Sequence, residues 1–161
     1  MKLAALLAIA AAVAGAVAIG SGASAQAPGT RTITFKELER GSKFIHVRNT
    51  RPPTRRANML GDQIVFTNPL ADASGTVIGK LHVSCTTTVG SRNFTRSTLT
   101  CHGAAALRDG TLTLQALTGV AAGTTTGAVT GGTGAYANAR GTFASVEARG
   151  GTDTTITLVA P

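Results

Sequence analysis

Residues 76–89, TVIGKLHVSCTTTV, alternate with a period of two. Val77, Gly79, Leu81, Val83, Cys85, Thr87 and Val89 hold the odd positions. Lys80, His82, Ser84, Thr86 and Thr88 hold the even ones, with Ile78 the exception. Successive side chains of an extended chain point to opposite faces, so this spacing predicts a strand with one buried face and one wet face. GSRN (90–93) reads as a turn, and FTRSTLTCHGAAAL (94–107) as the return strand, with Leu99, Cys101 and Leu107 at odd positions. A hairpin centred on residue 93 sets Cys85 opposite Cys101. Directly opposed residues at a non-hydrogen-bonded pair are close enough to be bridged, so a Cys85–Cys101 disulfide is expected. The rival reading, a metal held by His82, Cys85, Cys101 and His102, needs the ladder to break. The hairpin register puts both histidines on the face opposite both cysteines, and no metal is expected.

The remaining text is also strand-like. In RTITFKELERGSKFIHV (31–47), Ile33 and Phe35 alternate as a strand, residues 37–41 read as a short irregular crossing, and residues 44–47 as a second strand or its continuation. GDQIVFTNPL (61–70), TLTLQAL (111–117), TFASVEA (142–148) and DTTITLVA (153–160) are further strands, separated by the turn texts ADASG, RDG and RGG. With no Trp, one Tyr and five Phe, the core must be built from Val, Ile, Leu, Ala and Thr, which favours strands. Seven to nine strands without a convincing helix mean a sandwich or a barrel.

The N-terminus reads as a secretory signal. Met1-Lys2 precedes an apolar run from Leu3 to Ile19, and Ala23-Ser24-Ala25 supplies a small-residue cleavage site. Cleavage after Ala25 leaves residues 26–161 as a single domain that is secreted, extracellular or periplasmic. A cysteine pair joined as a disulfide accords with that compartment. The net charge is +8, and eight basic residues fall between Arg31 and Arg56. RNTRPPTRR (48–56), with Arg48, Arg51, Arg55 and Arg56, is the densest part and suits loose contact with an anionic cell envelope. It has no interleaved aromatic residue for base stacking, so no nucleic-acid partner is expected.

TGGTGAYANARGTF (130–143) superficially fits a dinucleotide loop, with Asp153 about twenty residues on where a ribose partner is sought. The context fails: Gly141 interrupts any helix, and the text that follows alternates as a strand. No nucleotide and no other cofactor are expected. No serine sits in a nucleophile-elbow motif, and the few carboxylates offer no recognisable glycosidase pair. The glycines instead suit a corner at a barrel end, with Tyr136 as a plug and Arg140 tying the corner down or facing the lumen.

Together GDQIVFTNPL, Gly79 followed by Cys85, VTGGTGAYANARG and FKELERGSKF resemble the allene oxide cyclase and dirigent superfamily over most of residues 33–160. The resemblance implies an all-β fold, a closed antiparallel barrel of about eight strands with a largely apolar lumen, usually assembled as a homotrimer. It also implies a small apolar ligand whose cyclisation or coupling the barrel steers. The buried asparagine of the cyclases falls on Asn68, their serine on Ser42 and their cysteine on Cys85. Lys36 and Lys43 stand where a second asparagine and a proline are found, and Thr34 where the catalytic glutamate is found. Losing that carboxylate argues against plant-type cyclase activity. Arg140 matches the dirigent arginine, while Ala135 and Asn68 replace dirigent aspartates. The implied ligand-binding set is Ser42, Asn68, Tyr136 and Arg140, with Asn68, Arg140 and Ser42 as catalytic candidates. Two functions follow: a cyclase-like or dirigent-like barrel, or a non-catalytic exported module that binds a ligand or the envelope. Enzyme status stays open between them.

Overall fold

The computed structural model describes residues 29–49 and 58–159. Residues 1–25, read from the sequence as a signal, and Arg51, Arg55 and Arg56 lie outside the described residues. Among the described residues nine strands follow one another: β1 Thr30–Leu38, β2 Lys43–Val47, β3 Gln63–Ala71, β4 Val77–Val89, β5 Thr98–Leu107, β6 Gly110–Gly119, β7 Thr124–Gly132, β8 Gly141–Ala148 and β9 Gly151–Val159. From β2 to β9 each strand pairs antiparallel with the next, and β9 pairs with β1 along its whole length. The cylinder closes because β1 also pairs with β3, Lys36 with Ala71 and Glu37 with Leu70, while β2 pairs with β3 from Lys43↔Thr67 to Val47↔Gln63. β1 and β2 thus share one place along β3, and nine strands make an eight-position antiparallel barrel. Residues 44–47 are both a second strand and a continuation of the first.

The crossing begins later than the sequence reading placed it. β1 runs on through Glu37 to Leu38, and only residues 39–42 leave the sheet. The pleat sets the consequence: Phe35 and Glu37 point inward and are buried, while Thr34 between Ile33 and Phe35 is exposed.

β4 keeps its predicted alternation through its middle, while Val77 and Val89 at its two ends are exposed. Leu81, Cys85 and Thr87 are buried, and Lys80, His82, Ser84 and Thr88 are exposed. Cys85 pairs with Cys101, and the two are joined as a disulfide. Beyond this pair the hairpin departs from simple register. The ladder shifts between Thr87 and Val89, and residues 94–96 form a short 3-10 turn rather than strand. Asn93 causes this by accepting hydrogen bonds from the Thr95 backbone N–H (3.1 Å) and hydroxyl (2.8 Å). The turn leaves the Phe94 side chain over the lumen.

One part of the lumen is filled. Phe35, Leu70, Leu81, Leu112, Leu114, Val129, Tyr136, Phe143, Ile156 and Leu158 form its main apolar cluster, with Leu70, Leu112 and Ile156 fully buried. The glycine-rich segment closes this end as the connection between β7 and β8. A Cβ on Gly132 would collide with the Tyr136 carbonyl, and Gly134 takes φ +59° against the Asp109 carbonyl, so neither position admits a side chain without displacement.

Replacing Cys85 and Cys101 together by Ala is expected to cost about 3 kcal/mol in chemical denaturation, the value for a loop of this length. Intact mass after alkylation should show two modified thiols only after reduction, and free thiols in the oxidised protein would contradict the bridge.

Candidate functional site

The other part of the lumen is open. A cavity of about 380 Å³ lies within the barrel. Phe44, Phe66, Phe94 and Phe143 line it, four of the five phenylalanines in the chain, so aromatic surface is concentrated here. Ile64, Leu81, Val83, Leu99, Leu114 and the Cys85–Cys101 disulfide add apolar wall. Small residues leave the space: Gly103 and Ala116 face it where larger side chains would fill it.

Glu37 stands in this apolar wall, 8% exposed. Its Oε2 accepts from Asn68 Nδ2 (3.0 Å) and its Oε1 from the Thr154 hydroxyl (2.8 Å). The chain of contacts continues in both directions. The Ser42 hydroxyl lies 2.8 Å from Asn68 Oδ1 and 2.8 Å from the Leu38 carbonyl, and the Thr154 hydroxyl lies 2.7 Å from that of Ser145. Five polar side chains, Ser42, Asn68, Glu37, Thr154 and Ser145, therefore connect the β1–β2 turn to β3, β1, β9 and β8. Burial pushes the Glu37 carboxyl above the usual range, and the hydrogen bonds from Asn68 and Thr154 offset part of that rise. The group holds its proton to higher pH than an ordinary glutamate and can donate or accept one within the cavity.

A second hollow of about 280 Å³ meets the same pair from the side. It opens where β1 gives way to β2 and is lined by Glu39, Ser42, Lys43 and Gly151 as well as Glu37 and Asn68.

The sequence-derived candidates divide in two. Ser42 and Asn68 come together through their hydrogen bond, Asn68 lining the cavity and Ser42 the side hollow. Tyr136 and Arg140 do not join them. Tyr136 is buried in the filled part of the lumen, with the Arg31 guanidinium 5.5 Å over its ring. Arg140 is exposed and donates to the Ala139 carbonyl (2.7 Å). It stands one residue before β8, whereas Glu147 lies near the far end of that strand, so the two cannot pair. Cys85 lines the cavity but is bridged, so it offers no thiol there.

The carboxylate absent at the aligned position is found nearby in the fold. Thr34, the position matched to the cyclase glutamate, lies on the outer face, and Glu37 supplies a carboxyl on the inner face one pleat repeat beyond Phe35. Lys36 also points outward, pairing with Asp153 at 3.3 Å. The missed signal was the odd-numbered alternation of Ile33 and Phe35, which extends by one step to Glu37. His82 and His102 are exposed on the outer wall, while His46 faces inward beside Asp62 (3.8 Å) and Phe94. Among the described residues, no three His, Cys, Asp or Glu side chains gather as a metal site.

The described residues thus form a closed antiparallel barrel with an apolar cavity and a hydrogen-bonded carboxyl buried in its wall. The model of the allene oxide cyclase barrel-like domain matches residues 44–156, and the chain belongs to that family. No curated protein matches the sequence. Among solved structures the chain is similar to pyocyanin demethylase, with 23% identity, a TM-score of 0.63, and coverage of 81% of this chain and 100% of that one. It is also similar to the pterocarpan synthase dirigent protein PsPTS1, with 18% identity, a TM-score of 0.60, and coverage of 84% and 97%. The Diels-Alderase AbmU from Streptomyces koyangensis follows at 14% identity and a TM-score of 0.57, covering 88% and 71%. At these identities the likeness shows the fold.

Glu37→Gln should expose the burial effect in stability. A carboxyl whose folded pKa is raised contributes stability that is complete below its unfolded pKa and lost as pH rises through the folded value. In thermal unfolding at several pH values, the variant should gain on the wild type as pH rises from about 4.5, the unfolded value, and level off above the folded one. A difference independent of pH would contradict the raised carboxyl.

Proposed function

We propose that this chain is a secreted barrel that binds a small, largely apolar molecule in its lumen and steers that molecule's cyclisation or coupling. The observation that carries the reading is the cavity of about 380 Å³ walled by four phenylalanines, with the Glu37–Asn68 pair set into the wall. Cores are packed to crystal density, so an apolar space of this size inside a barrel is a binding feature. Confinement in a shaped lumen holds a flexible molecule near its reactive conformation, and orientation alone can supply much of a barrier. Glu37 adds a proton donor or acceptor, or a carboxylate that stabilises a developing positive charge. Asn68 positions that carboxyl, and Ser42 holds Asn68. The activity would be that of an isomerase or cyclase that uses no cofactor.

The neighbours whose names state a chemistry support this direction: a demethylase, a pterocarpan synthase dirigent protein and a Diels-Alderase. Export is supported by the signal-like N-terminus and the disulfide, and no helix among the described residues is long and apolar enough to cross a membrane. A homotrimer is part of the proposal, and the exposed outward side chains of Ile45, Val47 and Val65 on adjoining strands support it.

Gly103→Phe tests the cavity directly. A Cβ at Gly103 meets its nearest neighbours at 3.5–3.6 Å, an ordinary contact, so the larger side chain enters the cavity without a backbone clash. The wild type should bind the neutral fluorophore N-phenyl-1-naphthylamine, and the variant should lose at least about tenfold in affinity, the weight of a buried aromatic ring. The circular dichroism spectrum should be unchanged. Equal binding by both proteins would overturn the lumen as the site. Protein purified from its native host should also carry a small organic molecule detectable by mass spectrometry.

A further inference from the structure

The cavity differs in charge from the chain that builds it. Fifteen basic residues outnumber seven acidic ones in the chain. Yet the charged side chains lining the cavity, among the described residues, are both acidic: Glu37 and Glu147. Neither is in an ion pair among the described residues. Glu37 is held by the neutral groups of Asn68 and Thr154. Glu147 is exposed on β8 near the rim, where its backbone N–H donates to the Gly123 carbonyl of the β6–β7 turn (3.1 Å). An ionised carboxylate against apolar wall is unfavourable; without a cation Glu37 tends to keep its proton, and a bound cation is what would favour its charged form. The four phenylalanines point the same way, because an aromatic face is electron-rich and attracts a cation.

From this arrangement we infer that the cavity selects organic cations, and specifically flat aromatic rings carrying a fixed positive charge. The inference rests on the small-molecule reading of the same cavity and names its substrate class. The phenylalanines take the ring faces, Glu37 meets the charge inside the lumen, and Glu147 attracts it at the rim. An organic anion of the same shape is repelled at the rim, and inside the lumen wherever Glu37 is ionised. The other titratable groups about Glu37 are Glu39 and Lys43, across the side hollow; Lys36 and Asp153 pair with each other on the outer face. Entry of the cation favours the ionised form of Glu37, so binding releases a proton when the carboxyl is protonated beforehand.

The test is a calorimetric titration of the signal-free protein with two probes of the same two-ring shape, N-methylquinolinium and uncharged 1-methylnaphthalene. At about pH 8 the cation should bind at least about tenfold tighter, and this advantage should shrink as the pH is lowered and Glu37 takes up its proton. Glu147→Gln should reduce the cation's advantage about threefold, the scale of an exposed charge contact, and change naphthalene binding less than about twofold. Glu37→Gln should remove most of the pH dependence. Because Glu147 is exposed, its variant keeps the test decisive even if the Glu37 variant folds poorly. Equal affinity for the two probes at about pH 8 would overturn the cation class and leave the cavity reading standing. Binding of neither probe would overturn both.

Discussion

Closure of the sheet is the constraint on which the rest of the molecule depends. A barrel removes its exposed edges only if its first and last strands meet. Here β9 finds its partner in β1, and β3 completes the ring by pairing with β1 at residues 70–71 and with β2 at residues 63–67. The chain passes from one pairing to the other through the turn at 39–42. That step interrupts the outer ladder and lets the Ser42 hydroxyl reach Asn68. It also opens the side hollow onto Glu37. The polar site therefore sits at the irregular place in the wall, where strand continuity was given up to close the ring.

The lumen is filled unevenly, and the unevenness separates structural from functional duties. Leu70, Leu112, Ile156 and Tyr136 pack one part as a core, where truncating a buried leucine costs about 2–5 kcal/mol. The other part trades such packing for space through Gly103 and Ala116. The disulfide stands in the cavity wall and ties β4 to β5 beside the open space. Burying Glu37 in the same region works against folding at high pH, and the hydrogen bonds from Asn68 and Thr154 limit the cost without removing it. A carboxyl kept under that tension is suited to exchanging protons with a bound molecule.

Much of this was legible before the fold was known. The period-two text of β4 and the turn signals led to an all-β barrel, and the spacing of Cys85 and Cys101 about the hairpin centre led to their bridge. The resemblance located Ser42 and Asn68, two of the five side chains in the polar chain. The sequence leaves Arg140 open to the lumen because a long cation in a glycine-rich corner can turn either way; in the structure it lies outside on the Ala139 carbonyl. Glu37 is hidden in the sequence because Glu37-Leu38-Glu39-Arg40-Gly41 has the composition of a polar loop. It is a strand residue because pairing with Thr152 and Leu70 holds it extended from both sides.

The alternation of side chains was determined by the sequence alone, because the pleat ties position along a strand to a face without reference to any partner. So was the disulfide, because hairpin register follows from counting along one chain. The contents of the lumen were decided only by tertiary structure. Glu37, Asn68, Thr154 and Ser145 lie on four strands, and Glu37 and Thr154 are 117 residues apart in the chain. No local pattern brings such groups together; closure of the cylinder does, and it also decides which of them lose water and therefore which carboxyl has its proton affinity raised.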